Sequence, residues 1–415
     1  MQPKEPRTAY TVAVGIGLVI VSFVLFRLAN MNFSAGRADF LYLADAFLHL
    51  RVWIPLGLAP NAPLVGENDV IVIAGRIFVP FAPFPAIALM PLVAIIGPVN
   101  ADHAETVINA ALAAGVVGLG YWVAGRIGLR RTSARLFLAI LLGFSTQILW
   151  VTTRGGVWHT GHLIATVITL LLIAEMFGKQ RAFLMGFLVG LGFLTRAPLA
   201  FAGPGLALWV LHRSGALDRR LPVGHRLRIL PWRGWFMLIA GFAPSLAFFF
   251  FYNWARFGSI LESGYGMAAL PPFLETLRQQ GLFSPVHIGM NIELLFIKLP
   301  RFTAEFPWFQ PDGHGMSVLF TSPALFLALL APWRDRRTWI LLITAVLVLI
   351  PTLLYYGGGW LQYGYRYFLD SIPFVWAIVG LYGVKRRGGY PWWAWVLLGW
   401  GVIVGLAGVY WAYHL

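Results

Sequence analysis

Residues 182–211 read AFLMGFLVGLGFLTRAPLAFAGPGLALWVL, an apolar run whose single charge, Arg196, falls near its centre. The fold turns on whether this run crosses a bilayer once or twice. A crossing needs only roughly 20 apolar residues, and a single one would carry the arginine-rich loop that follows to the side opposite every other basic cluster. Two short crossings keep the cations together. Pro198 pushes the residue before it out of helical backbone, so the run is read as a helical hairpin turning at Thr195, Arg196, Ala197 and Pro198.

Working outward, the same parity organises the chain. Basic clusters recur at Arg126, Arg130, Arg131 and Arg135; at Lys179 and Arg181; at Arg213, Arg219, Arg220, Arg226, Arg228 and Arg233; at Arg334, Arg336 and Arg337; and at Lys385, Arg386 and Arg387. They have the lysine and arginine excess of cytoplasmic loops. Acidic residues take the alternate loops: Asp39, Asp45, Glu67, Asp69, Asp102, Glu105, Glu262, Glu275, Glu293, Glu305, Asp312 and Asp370. With 59% hydrophobic and 11% charged residues and a mean hydropathy of +0.74, most of the chain has the bilayer as solvent. The net charge of +15 therefore reads as positive-inside loops rather than a nucleic-acid face. Lys4 and Arg7 precede an apolar run at 11–26 with no small-residue cleavage site, read as a retained signal anchor with a cytoplasmic N-terminus. Cysteine chemistry is excluded, because there is no cysteine.

Residues 78–96 would spoil the parity if they crossed. Pro80, Pro83, Pro85 and Pro91 interrupt them, and each proline removes a backbone donor that hydrocarbon cannot replace, so this run is expected at the outer interface or as a dipping, broken helix. An all-α polytopic bundle of about eleven crossings results, a single domain over residues 1–415 with no separate soluble domain and its C-terminus outside. Spans at 134–151 and 163–176 flank an outer loop carrying Arg154, Trp158 and His159, and spans at 339–355 and 372–384 flank residues 363–370. Two long outer loops, 32–103 and 256–315, have the length of functional loops.

Candidate chemistry gathers in those outer loops. In ADFLYLADAFLH (38–49), Asp39, Tyr42 and Asp45 share a broad stripe of a short amphipathic helix, with His49 one turn beyond. A carboxylate with limited water there serves as a general base; a solvated interfacial helix is the alternative. Arg154 with His159 combines a cation and an imidazole. Arg196, set between apolar helices, is costly unless it faces a cavity or a partner. Asn253, Arg256 and Tyr265 form a polar and aromatic group at the outer end of a span, where an aromatic belt is the alternative. In YGYRYFLD (363–370), Tyr365 and Arg366 precede Asp370, and the spacing of Arg366 and Asp370 also suits a structural ion pair.

Taken together, the order of features resembles the membrane glycosyltransferases of the GT-C superfamily, in particular bacterial mannosyl- and arabinosyltransferase-like enzymes that use polyprenyl-phosphate sugars. The likeness is carried by Asp39 with Phe40 and Tyr42, by the interfacial run PFAPFPAIALMP at 80–91, by a span ending in a basic turn at 104–131, and by GLGFLTRAP at 190–198. Where the family has two acidic residues in its first outer loop, this chain has Asp39 followed by Phe40. The resemblance implies an inverting glycosyltransferase in the inner (plasma) membrane. It would move a sugar from a polyprenyl-phosphate donor to a glycan, lipid or protein acceptor at the outer, periplasmic face, in cell-envelope glycan biosynthesis. It implies Asp39 as base and Arg366, Arg196, Arg256 and Arg154 as candidate phosphate ligands, with a divalent metal held by Asp39, Asp45, His49 and His159 as an option. A transporter or flippase of lipid-linked sugars is the competing reading, and it predicts internal repeats that the sequence does not display.

Overall fold

An apolar chain in hydrocarbon must satisfy its own backbone, which leaves the helix as the default element. The computed structural model describes residues 8–33, 38–55, 69–218, 220–359, 361–387 and 389–414, the side chain of Asp102 excepted. Lys4, Arg7, Glu67 and Arg219 lie outside the described residues. Among the described residues the fold is all-α apart from one three-stranded and one two-stranded sheet. Its first half comprises α1 (Thr8–Asn30), α2 (Asp39–Leu48), α3 (Phe84–Ile96), α4 (Pro98–His103), α5 (Glu105–Ile127), α6 (Thr132–Phe144), α7 (Ile148–Thr153), α8 (Val157–Met176), α9 (Ala182–Phe193) and α10 (Ala202–Arg213). Its second half comprises α11 (Val223–Arg228), α12 (Trp232–Phe257), α13 (Pro272–Arg278), α14 (Ile288–Ile292), α15 (Val318–Thr321), α16 (Arg336–Leu354), α17 (Ile372–Lys385) and α18 (Trp392–Tyr413). Strands β1 (Ile54–Pro55), β2 (Ile71–Ile73) and β3 (Arg76–Phe78) make an antiparallel sheet in the order β1-β3-β2.

Among the described residues, six helical segments are long and apolar enough to cross a membrane: α1, α5, α8, the α11–α12 segment, α16 and α18. The shorter α6, α9 and α17 pack among them. α8 is the axis of the bundle, with 83% of its apolar window buried against 11% for α1. The run that decided the topology does fold back on itself: α9 and α10 flank a break at Leu194–Arg196, and Arg213 at the end of α10 donates to the Gln180 carbonyl just before α9 (2.8 Å). Gly186 of α9 and Gly241 of α12 lie against the partner helix's backbone, where a Cβ would collide. Small residues of this kind allow membrane helices to pack closely.

The basic clusters meet at one end of the bundle. Arg337 lies over the Phe177 ring (5.9 Å), and Lys385 donates to the Leu330 carbonyl (3.2 Å). At the opposite end α3 starts beside the hairpin turn, its Phe84 N–H donating to the Leu194 carbonyl (2.8 Å). Thirteen residues at 1.5 Å each give about 20 Å, short of the ~30 Å hydrocarbon core, and α4 then leads into α5 at the same end.

Local boundaries differ from the sequence reading in two places. The span expected at 134–151 is split into α6 and α7 by Ser145, Thr146 and Gln147. More consequentially, α8 starts at Val157, not near 163, so Trp158 and His159 belong to its first turn rather than to a loop. Gly156, at φ 113°, makes the entry possible.

Candidate functional site

At the end away from the basic clusters, three segments far apart in sequence converge on one buried ionic group. Arg196 emerges from the hairpin turn, α8 presents His162, and residues 366–370 form a 3-10 turn. Nε of Arg196 donates to both oxygens of Asp370 at 2.7 Å, and Nδ1 of His162 lies 3.5 Å from Oδ1 of the same carboxylate. Asp370 is thus claimed by Arg196 and not, as its spacing suggested, by Arg366. In an α-helix residues four apart are neighbours, but in a 3-10 turn the eclipsing interval is three, so Arg366 and Asp370 point apart.

Arg366 is buried at 7% exposure, and its side chain makes no hydrogen bond among the described residues; its Nε is fully enclosed. Its guanidinium lies 5.4 Å from the centre of the Tyr367 ring, and that of Arg196 lies 5.5 Å from the same ring. Two cations therefore face one tyrosine with a single carboxylate bound to one of them. A buried unpaired charge costs several kcal/mol, so the arrangement favours an arriving anion. Around it stand more phenols. Tyr355 packs on Tyr367 (6.1 Å) and Tyr356 (4.6 Å), and Tyr265 meets Phe81 edge-on (6.3 Å). Burial pushes the Tyr265 and Tyr356 hydroxyls up to about 12, so both stay protonated donors.

Asp39 begins α2 and is completely buried, as is Tyr42. The helix is wedged rather than floating at an interface. Its Phe40 ring lies against Gly161 of α8 (3.7 Å to a Cβ placed there), and Phe47 meets Tyr252 of α12 edge-on (5.8 Å). Phe40 packs on Phe81 (6.4 Å), and Phe81 on Tyr265, so a run of aromatic contacts links α2 to Tyr265. Asp45 and His49 instead pair with each other at the far end of the helix (3.6 Å), with His49 exposed.

His159 is buried one turn before His162, its Nδ1 3.2 Å from the Gly155 carbonyl and its ring edge-on to Trp150 (5.3 Å), while Nε2 has no hydrogen-bond partner. Arg154 sits over Phe33 (5.9 Å), and burial lowers its guanidinium pKa. Two sequence candidates take scaffold roles. Arg256 donates to the Val79 carbonyl (2.8 Å), the Asn253 amide oxygen (2.7 Å) and the Ser263 carbonyl (3.3 Å), locking the end of α12 to the segment after β3. Asn253 caps this by donating to the Ile260 carbonyl (3.1 Å). Tyr365 likewise turns away to Asn291 (3.1 Å), and its neighbour Tyr367 faces the arginines.

The four residues offered as metal ligands do not converge. Asp39 is buried at the start of α2, His49 is exposed at its end, and His159 faces Trp150 and Gly155. Among the described residues no group of three His, Asp or Glu side chains is placed to hold an ion.

Sequence reasoning missed His162, Tyr367 and Asp69. The Trp158 indole donates to Asp69 (3.1 Å), bringing the first loop onto α8. Only His162 left a signal, lying three residues after His159 on the same helical face.

No protein-family model matches the chain, and no curated protein does either. Two solved structures resemble it, both of the oligosaccharyltransferase of Archaeoglobus fulgidus. The apo form gives 14% identity and a TM-score of 0.45; the form tethered through a disulfide to an acceptor peptide containing the NVT sequon gives 15% and 0.43. Each match covers 98% of this chain and 55% of the other, so this chain spans about half the length of those structures.

Proposed function

We propose that the protein is an inverting glycosyltransferase that takes a sugar from a polyprenyl-phosphate donor at the outer face of the plasma membrane. The observation carrying this reading is the pair of guanidiniums, the partly buried Arg196 and the buried Arg366, both facing Tyr367, with the Asp370 carboxylate bound to Arg196 and no side-chain hydrogen-bond partner for Arg366 among the described residues. A phosphate ester supplies the missing anion, and guanidinium donors match its oxygens.

In the proposed step an acceptor hydroxyl attacks the anomeric carbon. A new C–O bond forms, the bond from that carbon to the phosphate oxygen breaks, and its electron pair leaves on the phosphate. The hydroxyl proton passes to Asp39, and a single displacement inverts the carbon. Arg366 meets the growing negative charge on the phosphate, which stabilises the transition state more than the ground state. Asp370 keeps Arg196 oriented. Tyr265 and Tyr356 remain neutral donors for sugar hydroxyls. Donor made in the cytoplasm and used outside accords with basic loops at one end and the site at the other. The acceptor is a glycan, lipid or protein.

The test is transfer from a polyprenyl-phosphate sugar by the purified protein in lipid. Asp39→Asn should lower turnover by about 10²–10⁴-fold, the usual weight of general base catalysis, with donor affinity retained. Full turnover in Asp39→Asn removes that residue as base; donor binding without any transfer by the wild type favours the transporter reading.

A further inference from the structure

Residues 299–310 leave the bundle as a short ribbon in which β4 (Arg301–Phe302) pairs antiparallel with β5 (Phe309–Gln310), Phe302 opposite Phe309. Along it Phe302 is 65% exposed, Phe306 60% and Trp308 62%. In water such a cluster of bared aromatics is a liability or a contact surface. The ribbon is also tightly seated. Phe302 and Phe309 meet Phe320 of α15 edge-on (6.3 and 5.3 Å), and Phe306 meets Tyr410 of α18 edge-on (5.0 Å). Phe320 in turn stacks edge-on with Trp400 (5.5 Å), whose indole donates to the Phe320 carbonyl (2.8 Å).

α18 is long and apolar enough to span a membrane, and its outward stripe is apolar and open, with Trp400 45% and Ile403 64% exposed, as a lipid-facing surface would be. The ribbon continues that lipid-facing stripe near the end of the helix. Its composition suits headgroup depth, where Trp and other amphipathic aromatics concentrate, and a ribbon with unpaired strand edges cannot sit deeper in hydrocarbon. Arg301, exposed opposite Gln310, puts a cation on the same ribbon.

We propose that residues 299–310 form a membrane-interface anchor. Phe302, Phe306 and Trp308 enter the headgroup and upper acyl region of the leaflet on the arginine-cluster side, and Arg301 sits at the lipid phosphates. The anchor does not depend on the glycosyl-transfer reading, since no bond is made or broken.

Because the chain has no cysteine, single spin labels report without background. Phe302→Cys, Phe306→Cys and Trp308→Cys would each be labelled in vesicles of phosphatidylcholine and phosphatidylglycerol, with Gln280→Cys on the exposed end of the α13 segment as an aqueous reference. Power saturation should show the three ribbon labels more accessible to oxygen than to a water-soluble nickel chelate, and Gln280 the reverse. Ribbon labels matching Gln280 overturn the proposal. If an aromatic substitution prevents folding, Thr303→Cys, exposed on the same ribbon, is judged by the same criterion.

Discussion

Arg256 and Arg366 stand at the same end of the bundle and are equally buried, 7% exposed each, yet their donors are used in opposite ways. At the end of α12, Arg256 gives its terminal nitrogens to two backbone carbonyls and an amide and lies over the Tyr252 ring (4.0 Å). In the 3-10 turn after residue 362, Arg366 gives its side-chain donors to nothing among the described residues. Both leave a buried Nε without a hydrogen-bond partner, so the contrast lies in the terminal nitrogens, which in Arg256 are engaged and belong to the scaffold. Terminal nitrogens without a hydrogen-bond partner among the described residues, as in Arg366, are where the proposed function puts the donor phosphate. Burial alone does not separate the two; the hydrogen-bond inventory does.

The sharpest way to break this contrast is to remove the carboxylate that makes Arg196 tolerable. Asp370→Asn should cost 3–5 kcal/mol of stability, the usual penalty for orphaning a buried ion, read as a lowered melting temperature that added polyprenyl phosphate partly restores. A loss under about 0.5 kcal/mol, the scale of an ordinary surface substitution, would mean the pair carries no buried charge. Arg366→Ala should cost about 2–3 kcal/mol in binding of a polyprenyl-phosphate donor, within the range for hydrogen bonds to charged groups, while leaving the melting temperature unchanged or raised. Arg256→Ala should show the reverse: about 2 kcal/mol of stability lost as buried carbonyls lose their donor, with donor affinity of the folded fraction intact. Equal effects of these two arginine substitutions on donor binding would erase the distinction. At the bottom of the scale, His49→Ala should stay within about 0.5 kcal/mol in both measurements, because its pair with Asp45 is at an exposed helix end.

Much of the frame was legible. The hairpin at residues 182–211 follows from one proline and one arginine in an apolar run, and the proline-rich run forms the short helix α3 that starts beside the hairpin turn. Both are local signals. The Arg366–Asp370 pairing fails because helical spacing does not apply where the chain makes a 3-10 turn, and Trp158 and His159 leave the loop because α8 begins at Val157, six residues before the apolar run at 163–176. What no local pattern carries is the pairing of Arg196 with Asp370 across 174 positions. That contact depends on how the hairpin, α8 and the turn before α17 pack, and it decides which arginine is free. Asp39 does start a helix, as its sequence setting suggested, but its complete burial goes with the packing of α2 against α3 and α4, which the stripe of polar residues on α2 did not foretell.

The central claim is that the unfilled donors of Arg366 await a lipid-borne phosphate. Mass spectrometry of lipids retained by the protein, extracted in native nanodiscs and compared with Arg366→Ala, tests it most directly. A polyprenyl phosphate bearing a sugar, enriched over the surrounding membrane in the wild type and depleted in the variant, is the predicted result. Identical lipid profiles for the two proteins, matching the surrounding membrane, would contradict it.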